Sequence, residues 1–106
     1  MYRVTTPRFT FKLPIDTSEC DIIQVTFRQG KRKLVKASQG STLPSGMSFD
    51  ADKVIVILTQ EETKDFDYGD DMYVQLRALT GGGEAYASKS YQIMVEDVED
   101  DSILGE

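Results

Sequence analysis

The chain has 106 residues, 40% of them hydrophobic and 28% charged, the size and composition of one ordinary globular domain with no room for a second core. It contains no histidine and a single cysteine, Cys20, which excludes Ser-His-Asp and Cys-His triads, zinc fingers and a disulfide framework. The net charge of −6 lies entirely at one end: Glu96 to Glu106 holds six acids and no base, leaving 12 acids against 12 bases before it. A neutral body with an acidic end lacks the clustered Lys and Arg that phosphate contacts need, so nucleic acid is not an expected partner. No apolar run approaches the roughly 20 residues that cross a bilayer, and Met1–Arg8 does not read as a signal segment, so no membrane partner is expected either.

Most of the chain alternates with the period of two that marks a strand with one buried face. Phe9, Phe11 and Leu13 alternate with Arg8, Thr10 and Lys12, and Pro14, unable to donate to a ladder, closes that strand. Ile23, Val25 and Phe27 alternate with Gln24, Thr26 and Arg28 in a second strand. Gln29–Arg32 is a turn in which Gly30 is free to take positive φ, and Lys33–Ala37 pairs back as a hairpin. The Ser-, Gly- and Pro-rich stretch 39–46 is a connection, and Met47–Phe49 adds a short strand before a turn at Asp50–Asp52. Lys53–Thr59 is apolar on both faces, which suits a central strand covered on both sides or one lying at a subunit contact.

Only one stretch reads as helical. Thr59-Gln60-Glu61-Glu62 matches a capping box, in which the Thr hydroxyl accepts the Glu62 N–H and the Glu62 carboxylate reaches back. Asp67–Asp70 stops it, so Glu61–Phe66 is a connector that anchors through Phe66. Met72–Leu79 alternates Val74, Leu76 and Ala78 with Tyr73, Gln75 and Arg77; Gly81–Gly83 is a hairpin tip; Ala85–Val95 is the last strand. Short strands, turn signals and one helical turn predict an all-β, antiparallel sandwich of six to eight strands over 1–95, followed by an acidic tail over 96–106. The expected core is Phe9, Phe11, Ile23, Val25, Phe27, Val54, Val56, Leu58, Val74, Leu76, Ile93 and Val95.

Carboxylates are the remaining chemistry-bearing groups. The densest set, Glu61, Glu62, Asp65, Asp67, Asp70 and Asp71, misses the calcium-loop spacing: counted from Asp65, glycine falls at the fifth place and Leu76 stands twelfth. Gly81–Gly83 leads into Glu84 and a strand, so it is no phosphate cradle. Cys20 sits among Asp16, Glu19 and Asp21, which discourages a thiolate. No catalytic residue, metal ligand or cofactor is therefore expected, and a lone unpaired thiol suits a reducing cytoplasm. Protein contacts remain. Ile55 and Ile57 lie on the face opposite Val54, Val56 and Leu58, more apolar surface than a two-sheet core needs. Val98, Ile103 and Leu104 punctuate the acidic tail, either as an anchor that orders on a partner chain or as part of a disordered end. Arg28, Lys31, Arg32, Lys33 and Lys36 form the one basic cluster, either a solvated hairpin or a dock for an acidic partner such as a neighbouring subunit's tail. Tyr73 and Tyr86 are candidates for an exposed binding patch or simply cover the sheet.

The stretches TTPRFTFKLPIDTSE, DIIQVTFRQG, VILTQEETKDFDYGD, YVQLRALTGGGEAYAS and MVEDVEDDSILGE together resemble a group of small prophage-encoded proteins of Firmicutes found among virion and tail genes. The resemblance runs from Thr5 to Leu104. It implies an immunoglobulin-like β-sandwich with one short connecting helical turn and no assigned activity. It further implies a phage structural or baseplate-associated accessory role, with other phage structural proteins or further copies of itself as partners. Such a protein would sit in the host cytoplasm during assembly and then in the particle. No functional residue carries across. The alternative is a carbohydrate- or calcium-binding module at a cell surface.

Overall fold

The computed structural model describes residues 1–105; Glu106, the last acid of the expected tail, lies outside the described residues. Strands β1 (Arg8–Lys12), β4 (Met47–Asp50) and β5 (Lys53–Ile57) form one sheet in the order β1-β5-β4. Strands β2 (Cys20–Gln29), β3 (Arg32–Ala37) and β6 (Asp71–Thr80) form the second in the order β3-β2-β6. Both β7 (Ala85–Ala87) and β8 (Tyr91–Met94) pair with the free side of β6. Every strand pair is antiparallel. The described residues are all-β, two sheets enclosing one core, with a 3-10 turn at Thr17–Glu19 and one short helix, α1 (Gln60–Lys64).

The alternation dictates which side chains meet. Phe9 and Phe11 stand opposite Val56 and Val54 in register, while Val25 and Phe27 stand opposite Leu76 and Val74. Cross-strand partners share a face, so each sheet presents one continuous apolar surface. The two surfaces meet where the Phe9 ring packs edge-on against Phe27 at 5.1 Å between centroids. Nine of the expected core residues are buried: Ile23, Val25, Phe27, Val54, Val56, Leu58, Val74, Leu76 and Val95. Phe9, Phe11 and Ile93 are half-buried against that core, because β1 and β8 are edge strands on the same side of the sandwich. Leu13, Met47, Phe66, Met72 and Ala78 complete it.

The helix forms as its cap dictates. Thr59 Oγ1 accepts the Glu62 N–H at 3.1 Å, and Glu62 Oε1 accepts the Thr59 N–H at 2.9 Å. It spans Gln60–Lys64, and Phe66 just beyond it is buried.

The expected single last strand is broken. Arg77 is opposite Ala87 and Val74 is opposite Tyr91, so three residues, Ser88–Ser90, face the two residues Gln75 and Leu76. This is a one-residue bulge. Ser88 fills the gap: its Oγ accepts the Leu76 N–H at 2.9 Å and its own N–H donates to the Leu76 carbonyl at 2.8 Å. The extra residue changes the parity of the strand, placing Tyr91 and Ile93 on the core side opposite Val74 and Met72.

Candidate functional site

The sequence pointed to contact surfaces rather than to a reaction centre, and the strands distribute those residues over three places. The first is the outer face of the larger sheet. Arg28, Lys33 and Arg77 project from β2, β3 and β6 around Gln24, Thr26, Gln75 and Tyr73, and among the described residues no carboxylate lines this shallow depression. Arg28 and Lys33 are direct cross-strand neighbours, a repulsive pairing. Arg28 turns instead over the Tyr73 ring, 4.9 Å from its centroid, where the ring's negative face attracts the cation.

The basic cluster read from sequence does not stay together. Arg32 stands opposite Gln29 at the hairpin end, on the other face of the sheet from Arg28, and is exposed. Lys36 is a correction: it is buried, not solvated. Its Nζ pairs with Glu62 Oε2 at 2.6 Å and donates to the Ser45 carbonyl at 3.1 Å. Burial pushes the Glu62 carboxyl up, but the hydrogen bond and charge of Lys36 and the Thr59 N–H outweigh it and hold that carboxyl below its ordinary range. The tyrosine patch does not form either. Tyr73 stands opposite Arg28 on the outer face, whereas Tyr86 stands opposite the buried Ala78. The Tyr86 hydroxyl donates to Glu84, which raises its pKa.

The second place is the outer face of the smaller sheet. Ile55 is half-buried between Thr10 and Ser48 of the flanking strands, and Ile57, beside Arg8, is 40% exposed. Here the tail meets the body of its own chain. Ile103 borders a groove with Ile57, Leu58 and Gln60. The Gln60 side-chain amide bonds both ways with the Leu104 backbone, at 3.1 and 2.8 Å. Val98 and Ile103 are half-buried, whereas Leu104 keeps 76% of its surface exposed.

Arg3, which sequence reasoning passed over, holds the start of the tail. Its guanidinium pairs with Asp97 at 2.6 Å and donates to the carbonyls of Lys64 and Phe66, each at 2.8 Å. Its backbone N–H donates to the Glu96 carbonyl, beside a parallel bridge between Tyr2 and Glu96. The only sequence signal was a lone arginine between Tyr2 and Val4. The tail therefore lies along Arg3 and α1 of its own chain, and its acids Glu96, Glu99, Asp100 and Asp101 face solvent.

The third place is the loop group around Cys20. Burial and then the charges of Glu19, Asp16 and Asp21 push its thiol up, so it stays a thiol at neutral pH. No group of three or more His, Cys, Asp or Glu side chains is placed to hold a metal ion among the described residues. The arrangement offers charged and apolar surfaces for contact. No protein-family model matches the chain, and no curated protein matches it.

Proposed function

We propose that this protein is a non-catalytic structural or baseplate- and tail-associated component of a phage particle, an immunoglobulin-like module that works through contacts between protein surfaces. The observation that carries the contact reading is charge segregation within one chain. An outer sheet face bears Arg28, Lys33 and Arg77 with no lining acid among the described residues, and a separate ledge bears the exposed Glu99, Asp100 and Asp101. Two complementary patches at different places on one molecule favour a heterologous contact, ledge of one copy on face of the next, which repeats as assembled particles require. The immunoglobulin-like part of the reading draws on strand order. The sheets β1-β5-β4 and β3-β2-β6-β7/β8 follow the order B-E-D and C′-C-F-G of such sandwiches. The phage assignment itself draws on the sequence resemblance, with host cytoplasm and then particle as its location.

Two measurements test it. Recovery of the protein in stoichiometric amount with purified particles supports the assignment, and specific glycan binding without particle association replaces it. Sedimentation across a salt series tests the contact. Association present in low salt and lost in high salt is expected, because exposed charges are screened beyond roughly 8 Å at physiological ionic strength. Arg28→Glu with Arg77→Glu should abolish it. An unchanged mass for wild type and double variant at every salt concentration rules out the charge-led contact.

A further inference from the structure

We propose that the open seam between β1 and β8 is an acceptor site for an extended strand of a partner protein, one that alternates aliphatic with acidic residues. This surface is separate from the basic sheet face.

The hydrogen-bond phase of β1 shows which backbone groups are free. Leu58 N–H donates to the Pro7 carbonyl and Leu13 N–H to the Asp52 carbonyl. In an antiparallel ladder bonded pairs recur at every second residue, so Pro7, Phe9, Phe11 and Leu13 bond towards β5. Arg8, Thr10 and Lys12 turn their N–H and C=O groups the other way, where among the described residues β1 has no neighbouring strand. Across the seam, the Val95 N–H on the Asp70 carbonyl sets Tyr91 and Ile93 towards β6 and Gln92 and Met94 outward. Met1–Arg3 bonds along this edge at Met94 and Glu96, which among the described residues leaves the Gln92 backbone uncovered.

Between the two edges runs a mostly apolar groove of about 170 Å³, lined by Phe9, Thr10, Phe11, Val74, Tyr91 and Ile93. The Phe11 and Tyr91 rings stand tilted to each other across it with centroids 6.4 Å apart, and Tyr91 is 49% exposed. An added strand would complete the ladder on β1 and drop alternate side chains into this groove, the geometry of strand addition to a sheet edge.

Charge selects the occupant. Arg8 and Lys12 flank Thr10 on the outer side of the edge and are exposed, with Lys53 beside Lys12 and the Asp52 carboxylate 3.9 Å from the Lys12 Nζ. Two copies pairing antiparallel about Thr10 would set Arg8 opposite Lys12 twice, a like-charge arrangement that natural edges use against self-pairing. A strand with acids opposite Arg8 and Lys12 and aliphatics opposite Phe9 and Phe11 satisfies both faces.

The test uses the full chain and the peptide Val-Glu-Val-Thr-Val-Glu-Val, with Val-Lys-Val-Thr-Val-Lys-Val as control. Binding is read by amide shifts and by slowed amide exchange. The acidic peptide should bind with protection appearing at Arg8, Thr10 and Lys12, and the basic one should not. Thr10→Pro removes an outward N–H that no strand uses and should abolish binding. Should that variant fail to fold, Arg8→Glu with Lys12→Glu serves: it should weaken the acidic peptide about tenfold and admit the basic one. Arg28→Glu with Arg77→Glu should leave peptide binding intact. Equal binding of both peptides, shifts confined to Arg28, Lys33 and Arg77, or protection of Arg8–Lys12 in a peptide-free dimer would each overturn the proposal.

Discussion

Arg3, Lys36 and Gln29 each satisfy their polar groups on segments far away in the chain, and each fixes a loop that the strands alone leave free. Arg3 joins the helix end to the tail, and Gln29 exchanges bonds with the backbone of Asp67, at 2.7 Å each way. Arg3→Ala leaves the Lys64 and Phe66 carbonyls without their donor and frees Asp97. A loss of about 2–3 kcal/mol is expected in urea unfolding, with faster amide exchange over 97–104. Glu62 gives a pH signature. Its folded pKa lies below the ordinary 4.5, so the stability it contributes is complete above that value and drains away as pH falls through the lowered folded pKa. Asp16 and Asp100 are likewise lowered, by their bonds to Ser18 and Ser102. The difference between wild type and Glu62→Gln isolates the pair: melting temperatures should converge on acidification below about pH 4.5 and separate above it. Lys36 was singled out as part of the basic cluster, but the partners of these three residues were not legible in the sequence, because a bond spanning 61 residues, such as Arg3 to Lys64, leaves no local pattern.

The elements themselves were legible where their cause is local. β1, β2 and β6 follow from alternation, and α1 from four residues of capping box. Thr59→Ala removes the Oγ1 acceptor of the Glu62 N–H and should cost about 1 kcal/mol. The bulge at Ser88–Ser90 was not legible, since one residue too many has meaning only against the partner strand β6. β4 itself was legible to within one residue, but the close backbone approach beside it was not. Gly46, just before it, has φ of +81° and accepts the Ile57 N–H at 2.8 Å; a Cβ there would stand 2.3 Å from the Ile57 carbonyl oxygen. Backbone and backbone cannot yield as a flexible side chain does. Gly46→Ala therefore combines left-handed strain of roughly 1–2 kcal/mol with a forced parting of β4 from β5. Gly30→Ala shares the positive φ, at +59°, but has open space around it and should show the strain alone. Thermal unfolding of the two variants separates strain from clash: Gly46→Ala should melt at the lower temperature, and equal melting points would mean that β4 moves aside freely.

Across the whole molecule, charge was legible as composition and not as place. The acidic run showed in the sequence, but the folded chain holds it through Arg3 and Gln60, while Arg28, Lys33 and Arg77 gather on the larger sheet's outer face from three different strands. The proposed contact between copies needs the acids of this ledge, whereas the fold needs only its anchors. Truncation after Asp97 keeps the Arg3 pair and removes Val98–Glu106, including the two half-buried aliphatics. Exposed ion pairs are worth under about 1 kcal/mol each, and the groove beside Ile57 is open, so the truncated protein should unfold cooperatively at only slightly lower denaturant. Its association in low salt should disappear, as in the Arg28→Glu, Arg77→Glu variant. A milder substitution checks the cause: Glu99→Gln, Asp100→Asn and Asp101→Asn together leave Val98, Ile103 and the Leu104–Gln60 bonds in place. If this neutral ledge still associates while the truncated chain does not, the contact belongs to the aliphatics of the tail and not to its charge.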